Sequence, residues 1–174
     1  MTDSIDCFLA QNERQAYRMA QMSTGSSDDA LDIVQDAMIK LVQKYSHRPS
    51  NEWGPLFHRI VQRQITDWYR RNSIKQRLFH WFSSTDDLPA LDEFEAPLVS
   101  QPDNLLQNHQ AIELLQIELQ QLPLRQRQAF LLRCWQGLDT AETAKAMSCS
   151  SGSVKTHYHR ALKTLRSKLE GTWQ

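Results

Sequence analysis

Lys155, Thr156, His159, Arg160 and Lys163 stand out first in this sequence as residues able to do chemistry. At 100° per residue along a helix they share one side with Arg166, and no carboxylate interrupts them. Such a face attracts phosphate, while Thr156 and its neighbours suit contact with base edges in a major groove. The opposite side holds Val154, Tyr158, Ala161, Leu162, Leu165 and Leu169, the stripe of a helix that faces a core. Upstream, Asp139 and Glu142 form an Asp variant of the capping box, starting a short helix that ends near Met147. The run Ser150 to Ser153, with Ser151 and Ser153 beside the turn, supplies hydroxyl caps for the second helix, which then runs to about Leu169. A short helix, a tight turn and a longer helix make a helix-turn-helix. A basic face that is merely solvated is the plain alternative, although a solvated helix needs no capped partner before it.

A second constellation lies in PLFHRIVQRQITDWYRRNSIKQR, where Pro55 suits the first turn of a helix that follows a loop, SHRPSNEWG. Leu56, Phe57, Ile60, Val61, Gln64 and Trp68 form one side; Arg59, Gln62, Arg63, Thr66 and Arg70 form another, basic one. Rings beside cations suit single-stranded DNA, since bases stack on aromatics while guanidinium groups hold phosphates. Phe57 and Trp68 read as core, and Trp53, in the loop, as the ring offered to a base. A third constellation is SDDALDIVQDAMIKLVQKY, whose core stripe is Ala30, Ile33, Val34, Ala37, Leu41 and Tyr45. Its outward side is Asp32, Gln35, Asp36, Ile39, Lys40 and Gln43, with Ile39 an apolar residue among polar ones; periodicity alone reads that as ordinary surface.

No nucleophile with base and acid, no Gly-rich phosphate loop and no metal-ligand spacing occurs, so catalysis and a resident cofactor or metal are not expected. His157 and His159 point in different directions on their helix. Cys7, Cys134 and Cys149 stand far apart without a CxxC pair, which fits a reducing compartment. No apolar run approaches the roughly 20 residues that cross a bilayer, and the start MTDSIDCFLAQNER lacks signal-peptide character, so the expectation is a cytoplasmic protein without membrane insertion.

The elements that position these residues are all helical. Ser4 to Met22 forms a helix with Ile5, Phe8, Leu9, Ala16, Met19 and Ala20 on its apolar side, broken by TGSS. Residues 83–103 hold no Lys or Arg but six Asp or Glu, with three of the six prolines, and read as an extended acidic linker. Helical pattern resumes near Asn104 with Leu105, Leu106, Ile112, Leu115, Ile117 and Leu119, stopping at Leu122-Pro123. In LRQRQAFLLRCWQG, Ala129, Phe130, Leu132 and Trp135 should pack beneath the helix-turn-helix, with Gly137 closing the segment. The fold class is all-α: two small helical domains, 1–82 and 104–174, joined by 83–103. The formal net charge of zero hides a basic C-terminal part and an acidic middle.

These segments resemble the extracytoplasmic-function sigma factors of the sigma-70 family. GLDTAETAKAM-SCSSGSVKTHYHRALKTLR is similar to the family's C-terminal region 4 helix-turn-helix, and Leu122-Pro123 with Arg127 and Phe130 to its start. DALDIVQDAMIKL resembles region 2, whose exposed side docks on the clamp helices of the polymerase β′ subunit; Asp32, Gln35, Asp36, Ile39 and Lys40 then form the polymerase-binding face. Arg59-Ile60, Asp67 and Arg70-Arg71 match the part of region 2 that melts the minus-10 element, while Leu56 replaces the usual Trp and Arg63 the usual Asn. The resemblance implies minus-35 contacts by Ser151, Ser153, Lys155, Thr156, His159, Arg160 and Lys163, and minus-10 contacts by Trp53, Arg59, Gln62, Arg63, Thr66 and Arg70. It implies core RNA polymerase (β′ clamp helices and β flap), promoter DNA and an anti-sigma factor as partners. Two other readings stay open at this point: a stand-alone helix-turn-helix repressor or activator that binds a palindrome as a dimer, and an N-terminal lobe that only sequesters a protein partner.

Overall fold

The computed structural model describes residues 4–82 and 104–169, helical almost throughout; the expected linker lies outside the described residues. Helix α1 (Ile5–Thr24) starts where the Ser4 hydroxyl accepts from the Asp6 N–H at 3.2 Å. It stops at Gly25, whose φ of 75° is the left-handed conformation that favours glycine. A Cβ at Gly25 would meet the Gln120 side chain at 3.4 Å, ordinary van der Waals contact, so it is the backbone that asks for glycine. Helix α2 (Ser27–Tyr45) is capped by Ser26, with Asp28 and Asp29 in its first turn and Lys44 in its last, each favourable to the helix dipole. Its expected stripe is buried from Ala30 to Leu41, with Tyr45 packed at the margin.

Helix α3 (Ser50–Phe82) begins earlier than the sequence suggests. The last five residues of the expected loop, 50–54, form its first turn, and Pro55 lies within the helix rather than at its start. The ring deletes a single bond, to the Asn51 carbonyl, close enough to the helix end for the helix to persist. Trp53 is drawn into this turn: its indole N–H donates to the Tyr45 carbonyl at 3.1 Å, and its ring centroid lies 6.0 Å from that of Phe8. Phe8 also meets Phe57 edge-on, so three rings tie α1 to α3.

After the gap come α4 (Asn104–Gln121), α5 (Leu124–Phe130), a π turn (Leu131–Trp135), α6 (Thr140–Met147) and α7 (Ser151–Leu169). Ile112 and Ile117 of α4, expected on an apolar stripe, are exposed, and Leu119 and Leu122 are the buried residues. Phe130 and Trp135 are half-buried, with Leu131 beside Ala129 and Leu132 in the core. Both halves of the capping box form: the Glu142 N–H donates to Asp139 Oδ1 at 2.7 Å and the Asp139 N–H to Glu142 Oε2 at 2.8 Å. Ser148, at φ 53°, turns the chain left-handed between the two helices. Ser150 caps α7 by accepting from the Ser153 N–H at 3.1 Å.

Helices α1, α2 and α3 pack on one another, and α5, α6 and α7 form the second lobe. The lobes are not separate bodies, because α3 packs on α6 and α4 packs on both α1 and α7. The buried apolar residues, from Leu9 through Phe57 to Leu165, form one continuous cluster. Gly25→Ala should leave the helical content unchanged while lowering stability by about 1–2 kcal/mol, read as a lower urea midpoint by circular dichroism.

Candidate functional site

The recognition-type face of α7 is open. Ser151, Lys155, Thr156, His159, Arg160 and Lys163 are exposed, Ser153 is half-buried, and Val154, Ala161 and Leu165 seat the helix on the core. Thr156 donates to the Gly152 carbonyl at 3.1 Å, which fixes its hydroxyl at the start of the helix. Among the described residues no carboxylate pairs with the cations of α7. The site predicted from spacing is therefore assembled as a single basic strip.

On α2, Asp32, Gln35, Asp36, Ile39 and Lys40 are all exposed, and Ile39 is 53% accessible. All but Lys40 border a shallow groove whose far wall is α3, through Gln64, Trp68, Arg71 and Asn72. Sequence reading placed Trp68 in the core and gave Arg71 no part in this face. The ring is only partly buried, packing edge-on against Tyr69 at 4.9 Å between centroids. A helical plot of α3 alone cannot reveal that this side borders α2.

The α3 basic side is only partly available. Arg59, Arg63 and Arg70 are exposed, with Arg70 3.9 Å from Asp67. Gln62 is 2% exposed and Thr66 half-buried, both covered by α5, and Trp53 is 5% exposed. The expectation that Trp53 offers a loop ring to a base is corrected by its packing against Phe8 and its bond to Tyr45. Gln62 is likewise turned inward: its Nε2 donates to Met19 Sδ of α1 at 3.4 Å, while its backbone carbonyl accepts from Gln128 Nε2 at 3.4 Å. Arg59, Arg63, Thr66 and Arg70 do converge, on a cleft roofed by Arg125, Gln128, Met147 and Ser148. Sequence reasoning named Arg127 only as part of the region 4 pattern and missed Gln128, and it foresaw burial of neither; the available signal was two polar residues in the turn leading to Ala129.

Three kinds of comparison agree. Residues 8–74 match the family model for Sigma-70 region 2, and residues 112–165 that for Sigma-70 region 4. The ECF RNA polymerase sigma factor SigX of Bacillus subtilis is 30% identical over 141 residues, 80% of this chain and 70% of the relative. The RNA polymerase sigma-E factor of Streptomyces coelicolor is 29% identical over 142 residues, 81% and 72% of the two chains. Among solved structures, the sigma factor RpoE of Bartonella quintana, crystallised with the anti-sigma factor NepR, shares the fold. Its TM-score is 0.69 at 20% identity, covering 97% of this chain and 98% of that one.

Two histidines give the molecule a pH response. His58 of α3 is half-buried, with its Nδ1 enclosed and unpartnered, and desolvation holds its pKa below the ordinary 6.5, partly opposed by the Glu142 carboxylate across on α6. His157 is lowered too, by desolvation and then by Arg125 and Arg160. Well above pH 6.5 both histidines are neutral whether folded or unfolded. As pH falls through that value the unfolded chain takes up protons that the folded chain resists, so stability declines. The melting temperature should therefore drop between pH 7.5 and pH 5.5, and His58→Asn should shrink the drop.

Proposed function

The chain belongs to the extracytoplasmic-function sigma factors of the sigma-70 family, and from that membership we propose that its open faces divide the work of promoter recognition. A sigma factor is a transcription initiation factor, not an enzyme: it binds core RNA polymerase and directs it to promoters through the minus-10 and minus-35 elements. Residues 1–82 serve as the polymerase and minus-10 lobe, 83–103 as the tether, and 104–174 as the minus-35 lobe.

Lys155, Arg160 and Lys163 hold phosphates of the minus-35 duplex, with Thr156 and His159 toward the bases and Ser151 and Ser153 at the helix start. What supports this assignment is the single exposed basic strip on the second, capped helix of a helix-turn-helix. Asp32, Gln35, Asp36, Ile39 and Lys40 dock on the polymerase clamp helices. There Ile39 supplies apolar contact, and the acidic rim raises association rate and orientation more than affinity. Arg59, Arg63, Thr66 and Arg70 meet the melted minus-10 strand, and Gln62 joins them once uncovered. Trp53 is left out of the contact set by its burial. The β flap is the second polymerase contact, through the C-terminal lobe. An anti-sigma factor is a further partner, on the pattern of the Bartonella quintana neighbour. Among the described residues no helix is long and apolar enough to cross a membrane, and we place the protein in the cytoplasm, where polymerase works.

A stand-alone repressor would bind its operator unaided, whereas this protein should shift promoter DNA specifically only when core polymerase is present in the gel. Ile39→Asp should weaken polymerase association about tenfold, or ~1.4 kcal/mol, without changing helical content; unchanged affinity would remove the α2 face from the docking surface. Lys155→Ala and Arg160→Ala should weaken minus-35 binding, each lowering the slope of log affinity against log salt by about one.

A further inference from the structure

Helix α3 carries two stripes of polar and aromatic residues that helical geometry sends in different directions. Arg59, Arg63, Thr66 and Arg70 share one side, and Gln64, Trp68, Arg71 and Asn72 share another. Arg63 and Gln64 are sequence neighbours, as are Arg70 and Arg71, and neighbours on a helix point about 100° apart. The first stripe lines the cleft under α5 and α6, and the second lines the groove against α2; among the described residues none of α3 borders both. The basic doublet is thereby divided. Arg70, 3.9 Å from Asp67, opens on the cleft, and Arg71 opens on the groove.

The groove, of about 380 Å³, has walls of unlike chemistry. From α2 come the carboxylates of Asp29, Asp32 and Asp36, with Ile39 exposed beside them; from α3 come the Arg71 guanidinium and the Trp68 ring. Among the described residues Arg71 forms no ion pair with these carboxylates, so opposite charges face each other across the opening without meeting. Trp68 is half-buried and held edge-on by Tyr69, whose hydroxyl donates in turn to the Ser23 carbonyl of α1. Its ring is therefore presented in a fixed orientation, which spares a partner the entropy of ordering it. Tryptophan and arginine are the residue types that most often dominate a protein contact. A face of α2 alone would meet a partner on one side, whereas a trough with two walls receives a helix along both flanks.

We propose that Trp68 and Arg71 are polymerase-docking residues, the second wall of a trough that seats one polymerase clamp helix, so that the Arg70-Arg71 doublet divides between strand and polymerase. This rests on the docking of α2 proposed above and adds α3 to it. The walls specify the occupant: an amphipathic helix with its apolar ridge between Ile39 and Trp68, cations toward Asp29, Asp32 and Asp36, and a carboxylate toward Arg71. Polymerase then holds α3 on the side next to the one that meets the strand, and docking sets the direction in which Arg59, Arg63 and Arg70 point.

The test titrates the full, fluorescently labelled chain with core polymerase and, separately, with a single-stranded oligothymidylate at several salt concentrations. Arg71→Gln should weaken polymerase association about threefold and Arg71→Glu about tenfold, the order expected when the facing group is a carboxylate. Trp68→Ala should weaken it about tenfold as well. Arg71→Gln should keep the wild-type salt slope for oligothymidylate, whereas Arg70→Ala should lower that slope by about 0.7 and keep its polymerase affinity. Wild-type polymerase affinity in both Arg71 variants, or a slope lowered as much by Arg71→Gln as by Arg70→Ala, would overturn the proposal and return the doublet to the strand. Should Trp68→Ala lose helical circular dichroism, the exposed Arg71 decides alone. Ile39→Asp separates the two levels of the reading: if it weakens association while the Arg71 variants do not, only the α3 wall fails, and if it too has no effect, the α2 docking face fails with it.

Discussion

The arrangement of the molecule depends on how the C-terminal end of α1 is completed. The last carbonyls of a helix have no partner within it. Here the Gly25 N–H takes the Gln21 carbonyl, while the other lobe supplies Gln120 to the Met22 carbonyl and Arg127 to the Ser23 carbonyl, which Tyr69 of α3 also reaches. A cation at this position also meets the negative end of the α1 dipole. One lobe thus finishes the secondary structure of the other, and the orientation of α5, with the helix-turn-helix behind it, follows from that bond.

Burying a guanidinium for this purpose is expensive. Desolvation lowers the Arg127 pKa to about 10, below the ordinary guanidinium range, leaving it charged at neutral pH, and among the described residues no carboxylate forms an ion pair with it. Carbonyl oxygens and the Tyr69 ring stabilise it instead. Arginine suits such a place better than lysine because its planar fork reaches several acceptors at once. The apolar cluster continues around this polar patch, so burial of hydrocarbon supplies cohesion while the polar groups set the relative orientation of the lobes.

Much of this was legible in the residues. The capping box at Asp139 is local chemistry, written in a carboxylate at the right offset, and was read correctly; the helix starts near Ser4 and Ser27 were read from pattern, without the Ser4 and Ser26 caps that set them. The buried stripe of α2 and the exposed strip of α7 follow from period alone. The errors share a cause. Periodicity separates the two sides of one helix but is silent about a second body that covers the polar side, so Gln62 looked solvated, Gln128 looked unimportant and the burial of Arg127 was not foreseen. Trp53 was misplaced because Pro55 suggested a helix start, whereas the helix had already begun. Ile112 and Ile117 were counted as core on hydropathy, without a partner to bury them.

The π turn at Leu131–Trp135 has a consequence for how such chains can vary. Its wider bond, Gln136 N–H to the Leu131 carbonyl at 3.0 Å, takes up one more residue than an α-helical turn. That extra residue sets the phase between α5, fixed against α1, and everything downstream. Loss of a single residue there would relax the turn to α-helix and rotate the following chain by roughly 100°. The carbonyl of Trp135 would swing off Gln15, and the α7 strip would aim along a different azimuth. Insertions and deletions in this stretch therefore act on the bearing of the reading head, and drift among relatives should pass through substitutions here while length is held constant.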